Sequence, residues 1–224
     1  MRDPSSGSVV IVAIKIVAAI VVLLAVLNAL WRWASRRHQL PCPTWLAWGL
    51  GGSLVDWFLG TTTALDRIGV RAGLEVLEIG PGPGRLLVPV AQRVGPKGRA
   101  VGLDIQEGMV ERLQKRAARE GVTNLEGMVG DGSQECFPPE SFDHVFLALT
   151  LGEIPAREDA LRQCFEVLRP GGRLSVTELF PDPHFLSRRK VRELAEEAGF
   201  RHEATQGHAL FFTANFLKPS GVSS

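Results

Sequence analysis

The sequence predicts an α/β fold in which a doubly wound, mostly parallel seven-stranded sheet is preceded by one transmembrane helix. Three observations lead to this prediction. Short apolar runs alternate with stretches of helical period from residue 74 onward, a glycine-rich turn follows the first run, and an almost wholly apolar segment occupies residues 9–30. Strands that alternate with helices imply right-handed crossovers, which place helices on both faces of a parallel sheet.

The elements follow in order along the chain. The predicted strands are residues 74–79, 99–105, 124–130, 142–149, 173–179, 200–206 and 209–218. Helices are predicted around residues 87–94, 107–120, 161–168 and 191–198. The fourth strand is almost wholly apolar, as expected for a strand buried on both faces. The Pro-Gly-Gly sequence at 170–172 is expected to end the helix before the fifth strand, and Gly207 to link the last two strands.

The apolar segment predicts a transmembrane helix over residues 9–31. Every residue from Val9 to Leu30 is apolar except Lys15 and Asn28. A helix of this length, at ~1.5 Å per residue, extends about 33 Å, the thickness of bilayer hydrocarbon. A cleaved signal peptide and a buried core helix are the competing interpretations. The first has a shorter apolar region, and the second needs apolar neighbours on every side.

The residues that flank this segment indicate its orientation. Two tryptophans and three arginines follow at once: Trp31, Arg32, Trp33, Arg36 and Arg37. Because positive charge concentrates on the cytoplasmic side of a membrane, we expect a single-pass membrane protein whose globular domain is cytoplasmic. Residues 1–8 would be a tail, 32–60 a juxtamembrane linker and helix, 61–218 the domain and 219–224 a disordered tail. Residues 41–60 form either an interfacial helix or a helix that covers a ligand pocket.

Composition narrows the function classes. Residues 1–40 carry five Lys or Arg against one Asp, and the remainder carries twenty basic against twenty-three acidic residues. A globular part this close to neutral does not predict nucleic-acid binding, which requires a basic surface. The three cysteines are scattered and lack the spacing of a disulfide framework or a zinc site, so no metal is expected.

The stretch LEVLEIGPGPGRLL, residues 74–87, predicts a ligand site. A glycine turn between a strand and a helix lets the backbone approach a ligand. The spacing from Gly80 is GxGxG, whereas nicotinamide sites have GxGxxG. Glu78 precedes the turn where it would repel a pyrophosphate, and Asp104 ends the second strand where a carboxylate accepts hydrogen bonds from ribose. The residues therefore predict a ligand with a ribose and without a diphosphate.

Five motifs together resemble the class I S-adenosylmethionine-dependent methyltransferases. They are VLEIGPGPGRLL, GLDI, GDG, FDHVFLALTLGEIP and VLRPGGRLSVTE, and they fall within residues 60–218. The resemblance implies a Rossmann-like methyltransferase fold over residues 61–218 and S-adenosylmethionine as the cofactor. It also implies the residues that bind the cofactor, which are Glu78, Gly80, Pro81, Gly82, Gly84, Asp104, Ile105, Asp131, Gly132 and Leu149.

The resemblance assigns these residues to parts of the cofactor. Glu78 and the glycine turn match the motif that contacts the methionine moiety. Asp104 matches the acidic residue on the ribose, and Ile105 would lie against the adenine. Asp131 and Gly132 would contact the adenine amino edge.

The resemblance places Leu149 and Thr150 beside the methyl-transfer centre, at the end of the fourth strand. Many relatives have a His-Glu pair there, where this chain has Gly152-Glu153. The candidate catalytic residues are Glu153, which could take a proton from the acceptor, and His184, which flanks the end of the fifth strand with Glu178. The alternative is a solvated loop carboxylate and a bystander histidine, since in-line methyl displacement depends mainly on orientation.

The sequence therefore predicts an S-adenosylmethionine-dependent methyltransferase that is anchored to a membrane through residues 9–31. Its acceptor would be a lipid or another hydrophobic small molecule. Three alternatives stay open: an anchored methyltransferase acting on a soluble substrate or a protein, a nicotinamide oxidoreductase with an unusual turn, and a scaffold without catalysis.

Overall fold

The structure, a computed structural model, describes residues 61–180 and 182–221 of the chain. Within the first sixty residues it describes residues 15–16, 18–20, 22–23, 26 and 30. The expected tail over residues 1–8 and linker over 32–60 lie outside the described residues. Both interpretations of residues 41–60 therefore stay predictions, as do the domain boundaries.

Helices and strands alternate from residue 61 onward. The helices are α1 (Thr61–Ile68), α2 (Leu87–Val94), α3 (Glu107–Arg119), α4 (Arg157–Val167) and α5 (Arg188–Glu197). The strands are β1 (Glu75–Ile79), β2 (Arg99–Asp104), β3 (Leu125–Val129), β4 (Phe142–Ala148), β5 (Leu168–Leu179), β6 (Arg201–His208) and β7 (Phe211–Leu217). Each predicted strand and each predicted helix after residue 74 has a counterpart among these elements.

The strands form one seven-stranded sheet in the order β3-β2-β1-β4-β5-β7-β6. The pairs from β3 to β5 are parallel, and β7 is antiparallel to both β5 and β6. This mixed sheet confirms the α/β part of the predicted fold class. The chain order reverses between β1 and β4, and open α/β sheets bind ligands in the crevice outside the carboxyl ends of strands at such a point.

The two faces of the sheet are covered by different helices. Phe146 of β4 packs in a core with residues of α1, α2 and α3. Its neighbours Val145 and Leu147 pack in a second core with residues of α4 and α5. All three side chains are fully buried. The prediction that the fourth strand is buried on both faces is thus confirmed, and the sheet is doubly wound.

The fifth strand begins earlier than predicted. It starts at Leu168 and continues through the Pro-Gly-Gly sequence that was expected to precede it. Gly171 N donates to Lys218 O (3.0 Å), and Lys218 N donates to Gly172 O (2.9 Å). These bonds to the chain just beyond β7 keep the sequence in the sheet, although Gly171 has a φ of 78°. The Pro-Gly-Gly sequence alone predicts a break between elements. The pairing that keeps it in the sheet comes from residues that are distant along the chain, so the local sequence does not reveal it.

The last hairpin also differs from its prediction. Gly207 lies inside β6 with a φ of 100°, and the turn to β7 falls at residues 209–210. A Cβ at Gly207 would lie 2.7 Å from Nη1 of Arg67 on α1. This glycine therefore permits the close approach of an arginine side chain.

A buried polar chain crosses the sheet at β4, β5 and β7. Nε2 of His144 lies 2.8 Å from Oγ of Ser175, which donates to Oδ1 of Asn215 (2.6 Å). Because the hydroxyl proton of Ser175 points to Asn215, Nε2 of His144 must be the donor to Ser175. Asn215 Nδ2 in turn donates to the carbonyl of Arg67 (3.0 Å) and so joins α1 to the sheet. Burial lowers the pKa of His144 to about 3, so the imidazole is neutral at pH 7.

The predicted transmembrane helix over residues 9–31 falls largely outside the described residues. The residues described there are helical and exposed, Ile16 and Val22 among them. In the part of the chain that the structure describes, no helix is both long and apolar enough to cross a bilayer. This finding overturns the expected single-pass membrane localisation with a cytoplasmic catalytic domain. Apolar composition indicates a span only where a continuous helix of about 20 residues carries it.

Replacing His144 by Gln is expected to reduce the acid sensitivity of the fold. A group whose pKa is 6.5 when unfolded and about 3 when folded stabilises the protein above pH 6.5, and this stability is lost as the pH falls toward 3. Between pH 7 and pH 5 the free energy of unfolding should fall by about 2 kcal/mol more in the wild type than in His144→Gln. Urea unfolding at the two pH values measures the difference.

The exposed histidine of β6 provides the control. His208→Gln should follow the wild type at both pH values, because its side chain is solvent-exposed. Equal acid sensitivity of His144→Gln and the wild type would show that the folded protein protonates His144 without cost.

Candidate active site

The predicted glycine turn lies at the carboxyl end of β1, beside the end of β2. Gly80, Gly82 and Gly84 have φ values of 70°, 53° and 82°, a region that glycine adopts readily. Gly80 N donates to Leu103 O (2.9 Å), and Gly84 N donates to Pro81 O (3.0 Å). The turn is therefore fixed both to the neighbouring strand and within itself.

Packing encloses two of the three glycines and leaves the third open. A Cβ at Gly80 would lie 2.6 Å from Oγ1 of Thr150, and a Cβ at Gly84 would overlap Leu113. At Gly82 a Cβ would meet none of the described atoms within 4 Å. Gly82 is thus the position where a ligand can approach the backbone of the turn.

Asp104 connects the end of β2 to this open position. Its Oδ2 accepts a hydrogen bond from Gly82 N (3.0 Å), and its Oδ1 accepts one from Gln106 N (2.9 Å). The residue is only 6% exposed. Burial raises the pKa of Asp104, and the two backbone hydrogen bonds oppose that shift because they stabilise the carboxylate.

Glu78, the other predicted acidic residue, is buried at 2% exposure near the end of β1. Its Oε2 has no hydrogen-bond partner among the described residues. Burial raises the pKa of Glu78 well above its usual value, the charge of Arg85 opposes the shift, and Asp104 adds to it. An unpaired buried polar atom costs free energy unless a partner is supplied. Glu78 therefore marks a place where a ligand group can bind.

The remaining predicted cofactor residues lie at the same edge. Oδ1 of Asp131 accepts hydrogen bonds from N (2.9 Å) and Oγ (2.7 Å) of Ser133 in the turn after β3. Gly132 lies so close to Ile79 that a Cβ would be 2.6 Å from its Cγ2. Ile105 follows β2 and is 63% exposed, which leaves its side chain available for an apolar contact. The structure thus brings the residues predicted from three separate motifs to the ends of β1, β2 and β3.

Leu149 has a backbone conformation that is unusual for its type. It has a φ of 61°, in the left-handed region, which costs a residue with a Cβ about 1–2 kcal/mol. Its N donates to Thr177 O (2.9 Å), which holds the chain end of β4 to β5. Oγ1 of the following residue, Thr150, donates to Gly80 O (3.3 Å). This strained residue therefore aims the loop after β4 at the glycine turn, as is common in functional sites.

The two predicted catalytic residues lie in loops that touch. Glu153 is half-buried in the turn after β4, and its N donates to Thr150 O (2.9 Å). His184 is buried in the loop after β5, and its N donates to Oδ1 of Asp182 (2.7 Å). A Cβ at Gly152 would overlap the backbone carbonyl of His184. The structure therefore brings both loops to one edge, while the catalytic roles of their side chains stay predictions.

Sequence reasoning underrated three residues at this edge. Thr150 was placed beside the methyl-transfer centre together with Leu149, and its side chain also contacts the glycine turn at Gly80. Arg85 was not assigned a role, although its charge acts on Glu78. Glu178 was noted only as a neighbour of His184, and it is 1% exposed. A carboxylate next to the last residue of the predicted strand RLSVTEL was the signal for Glu178.

A cavity of about 270 Å³ lies at the opposite edge of the sheet. It is lined by the 170–172 turn and by Arg71, Asp143, His144 and Arg173, among others. None of the predicted cofactor or catalytic residues lines it. In residues 61–180 and 182–221, moreover, no group of His, Cys, Asp and Glu side chains could hold a metal ion. The candidate active site is therefore the carboxyl edge of the strands.

Residues 76–172 match the protein family described as a methyltransferase domain. The chain is 37% identical over 119 residues to the nocamycin O-methyltransferase of Saccharothrix syringae, an alignment that covers 53% of this chain and 42% of that protein. It is 41% identical over 116 residues to the ubiquinone/menaquinone biosynthesis C-methyltransferase UbiE of Pseudomonas fluorescens (strain Pf0-1), which covers 51% and 45%. The chain thus spans less than half the length of these relatives.

Solved structures resemble the fold. A SAM dependent methyltransferase from Aquifex aeolicus superposes with a TM-score of 0.73 at 22% identity, over 79% of this chain and 99% of that chain. The [4+2]-cyclase SpnF superposes with a TM-score of 0.65 at 18% identity, over 75% and 82%. At these identities the likeness supports the Rossmann-like methyltransferase fold alone. The name of the second protein illustrates that one fold serves more than one reaction.

A pair of alanine substitutions is expected to separate strain from packing in the glycine turn. Gly80→Ala places a methyl group in a left-handed position and against Thr150, whereas Gly121→Ala has a similar φ of 68° with none of the described atoms within 4 Å. Both variants carry the conformational cost, so the additional loss in Gly80→Ala reports the overlap with Thr150. We expect that difference to be about 1–3 kcal/mol in the free energy of unfolding by urea. Equal losses in the two variants would contradict the close contact between the turn and the β4 loop.

Proposed function

We propose that this chain methylates a hydrophobic small molecule, because residues 76–172 match a methyltransferase domain and the motifs resemble the class I S-adenosylmethionine-dependent family. The cofactor of that class is S-adenosylmethionine, and the similar structure from Aquifex aeolicus is named as a SAM dependent methyltransferase. The observation that carries the proposal is the arrangement of Glu78, Gly82 and Asp104, a backbone turn open to a ligand between two buried carboxyl groups.

The charge of this arrangement suits the cofactor. S-adenosylmethionine, when bound, supplies a methyl group on a positively charged sulfur atom. Glu78 has an unpaired oxygen, and a nearby cation would lower its raised pKa again. Asp104 retains lone pairs that can accept hydrogen bonds from ribose hydroxyls while it holds Gly82 N and Gln106 N. A diphosphate beside Glu78 would be repelled by that carboxyl group when it is ionised, which disfavours a nicotinamide cofactor, whereas Asp104 would suit the ribose of either cofactor.

The acceptor is proposed to be a small molecule with an apolar body. Phe180 and Leu210 are 45% and 51% exposed at the carboxyl edge of β5. Phe180 N donates to Leu210 O (2.7 Å), so the two residues form one surface. Two relatives are named as a nocamycin O-methyltransferase and as a C-methyltransferase of ubiquinone/menaquinone biosynthesis, which supports a small-molecule acceptor. The exposed apolar surface supports a hydrophobic one, whether a lipid or another compound.

The chain's own residues would act mainly by orientation. Reactions in which the partners are held in near-attack geometry gain up to about 7–11 kcal/mol in favourable intramolecular cases. Leu149, through its left-handed backbone, and Thr150, through its hydrogen bond to Gly80 O, would hold the loop after β4 beside the glycine turn. Glu153 is the proposed proton acceptor for a protonated nucleophile, a role that contributes about 10²–10⁴-fold in other enzymes. His184 lies in the neighbouring loop, after β5, and is proposed to orient the acceptor.

Substitution of Asp104 is expected to weaken binding of the product S-adenosylhomocysteine. Hydrogen bonds to a charged group contribute about 1.5–3 kcal/mol, so Asp104→Ala should raise the Kd by roughly 10- to 150-fold. Asp104→Asn keeps one oxygen for a backbone N–H and should have an intermediate effect. Isothermal titration calorimetry measures both.

The control is Glu197→Gln, which neutralises an exposed carboxylate at the end of α5. This variant should bind S-adenosylhomocysteine as the wild type does. An unchanged Kd in Asp104→Ala, with a normal unfolding transition, would contradict the proposed ribose contact.

The acceptor class is tested by labelling. The purified chain is incubated with methyl-labelled S-adenosylmethionine and, separately, with a total lipid extract, a mixture of phenols and quinols, and a soluble protein extract. We expect label in an organic-soluble small molecule, accompanied by an equal amount of S-adenosylhomocysteine, as identified by mass spectrometry. Label confined to protein would contradict the small-molecule acceptor. Binding of NAD(P) in place of S-adenosylhomocysteine would contradict methyl transfer altogether.

A further inference from the structure

Glu178 is a buried carboxyl group that the proposed reaction does not use. It lies next to the last residue of β5, and its side chain is 1% exposed. Its Oε2 accepts a hydrogen bond from Leu186 N (3.2 Å), and its Oε1 has no hydrogen-bond partner among the described residues. Burying a carboxyl group that is only half satisfied is costly. A residue that carries such a cost invites a functional explanation.

The bond to Leu186 fixes the loop after β5. This loop, residues 180–187, runs from the end of β5 to the N-cap of α5. Phe185 also packs edge-to-face on Phe212 of β7, with ring centroids 6.2 Å apart. The carboxyl group of Glu178 thus fixes the backbone of the loop at Leu186. The ring contact between Phe185 and Phe212 fixes the loop against β7.

The same loop packs against the loop after β4. Gly152 approaches the carbonyl of His184 so closely that a Cβ there would overlap it. Arg157 donates to Gly152 O (3.0 Å) and to Ile154 O (3.2 Å), which fixes the β4 loop from its other side. A shift of the β5 loop would therefore change the position of the segment that carries Glu153.

The charge state of Glu178 depends on its surroundings. Burial raises the pKa of Glu178 to about 8, and Asp182 and Glu153 act in the same direction. The hydrogen bond from Leu186 and the charge of Arg157 oppose this shift. The carboxyl group is thus mostly neutral at pH 7, and ionisation above pH 8 would place a charge in an apolar core. Asp182 and His184 of the same loop, and Glu153 and Arg157 beyond β4, are the other titratable or charged groups where the two loops meet.

We propose that Glu178 is a positioning residue for methyl transfer, which holds the β5 loop against the β4 loop through its bond to Leu186 N. This inference rests on the proposed function for its effect on the reaction. Its effect on the loop is independent of any reaction. Loss of the bond releases residues 182–187 and loosens the contact between Gly152 and His184, so that the acceptor is held in the wrong position. The cofactor residues at the ends of β1 and β2 are unaffected.

The loop is tested by amide hydrogen exchange on the full chain. Glu178→Ala removes the acceptor of the Leu186 N–H, and exchange in residues 182–187 should become at least tenfold faster at pH 7. Glu178→Gln keeps an oxygen for that N–H and cannot ionise, so it should match the wild type within about twofold at pH 7. At pH 9, one unit above the wild-type pKa of about 8, the wild type should exchange about tenfold faster than Glu178→Gln.

Two further variants distinguish a local effect on the loop from a general loss of stability. Gly152→Ala pushes on His184 from the opposite loop without altering Glu178, and it should speed exchange in the same residues. Glu197→Gln, an exposed carboxylate, should leave their exchange unchanged. Wild-type exchange in both Glu178→Ala and Gly152→Ala would overturn the proposal, as would faster exchange spread evenly over the whole domain.

The rate of methyl transfer and the Kd for S-adenosylhomocysteine distinguish a failure of this inference from a failure of the proposed function. Glu178→Ala should lower the rate of label transfer to the phenol and lipid mixtures at least tenfold at saturating S-adenosylmethionine, with the Kd for S-adenosylhomocysteine within twofold of the wild type. Glu178→Gln should retain the rate and lose the decline above pH 8. A wild type that binds no S-adenosylhomocysteine refutes the proposed function alone, because the exchange data still decide the role of Glu178. Normal binding with a full rate in Glu178→Ala refutes the positioning role alone.

Discussion

The hydrogen bond from Gly82 N to the carboxylate of Asp104 is the contact on which the site depends. It joins the turn after β1 to the end of β2, two neighbouring parallel strands, and it leaves the open side of Gly82 free. Thr150 completes the arrangement from β4 through its contact with Gly80. Three strand ends are thereby fixed relative to one another before any ligand binds, which lowers the cost of binding.

Buried carboxyl groups define the carboxyl edge of this sheet. Glu78, Asp104 and Glu178 are each less than a tenth exposed, and burial raises the pKa of all three. The free energy spent on burying them is not explained by ion pairs, since none of the three forms a salt bridge with a described residue. Their hydrogen bonds go mainly to backbone N–H groups. We propose that Glu78 and Asp104 bind the cofactor and that Glu178 positions the loop beside the acceptor site.

Much of this arrangement could be predicted from the sequence because it depends on local patterns. Strand ends, the glycine turn and the acidic residues near the ends of β1 and β2 follow from periodicity and spacing, and the seven-stranded sheet agrees with them. The start of β5 at Leu168 and the contact of Gly152 with His184 could not be predicted, since each depends on a partner distant in the chain. The membrane localisation was wrong because it was inferred from apolar composition alone, and among the described residues no helix is long and apolar enough to cross a bilayer.

Calorimetric titration of the purified wild-type chain with S-adenosylhomocysteine and, in parallel, with NAD tests the identity of the cofactor directly. We expect saturable binding of S-adenosylhomocysteine in the micromolar range and no binding of NAD at millimolar concentration. Saturable binding of NAD, with no heat from S-adenosylhomocysteine at the same concentrations, would contradict this expectation.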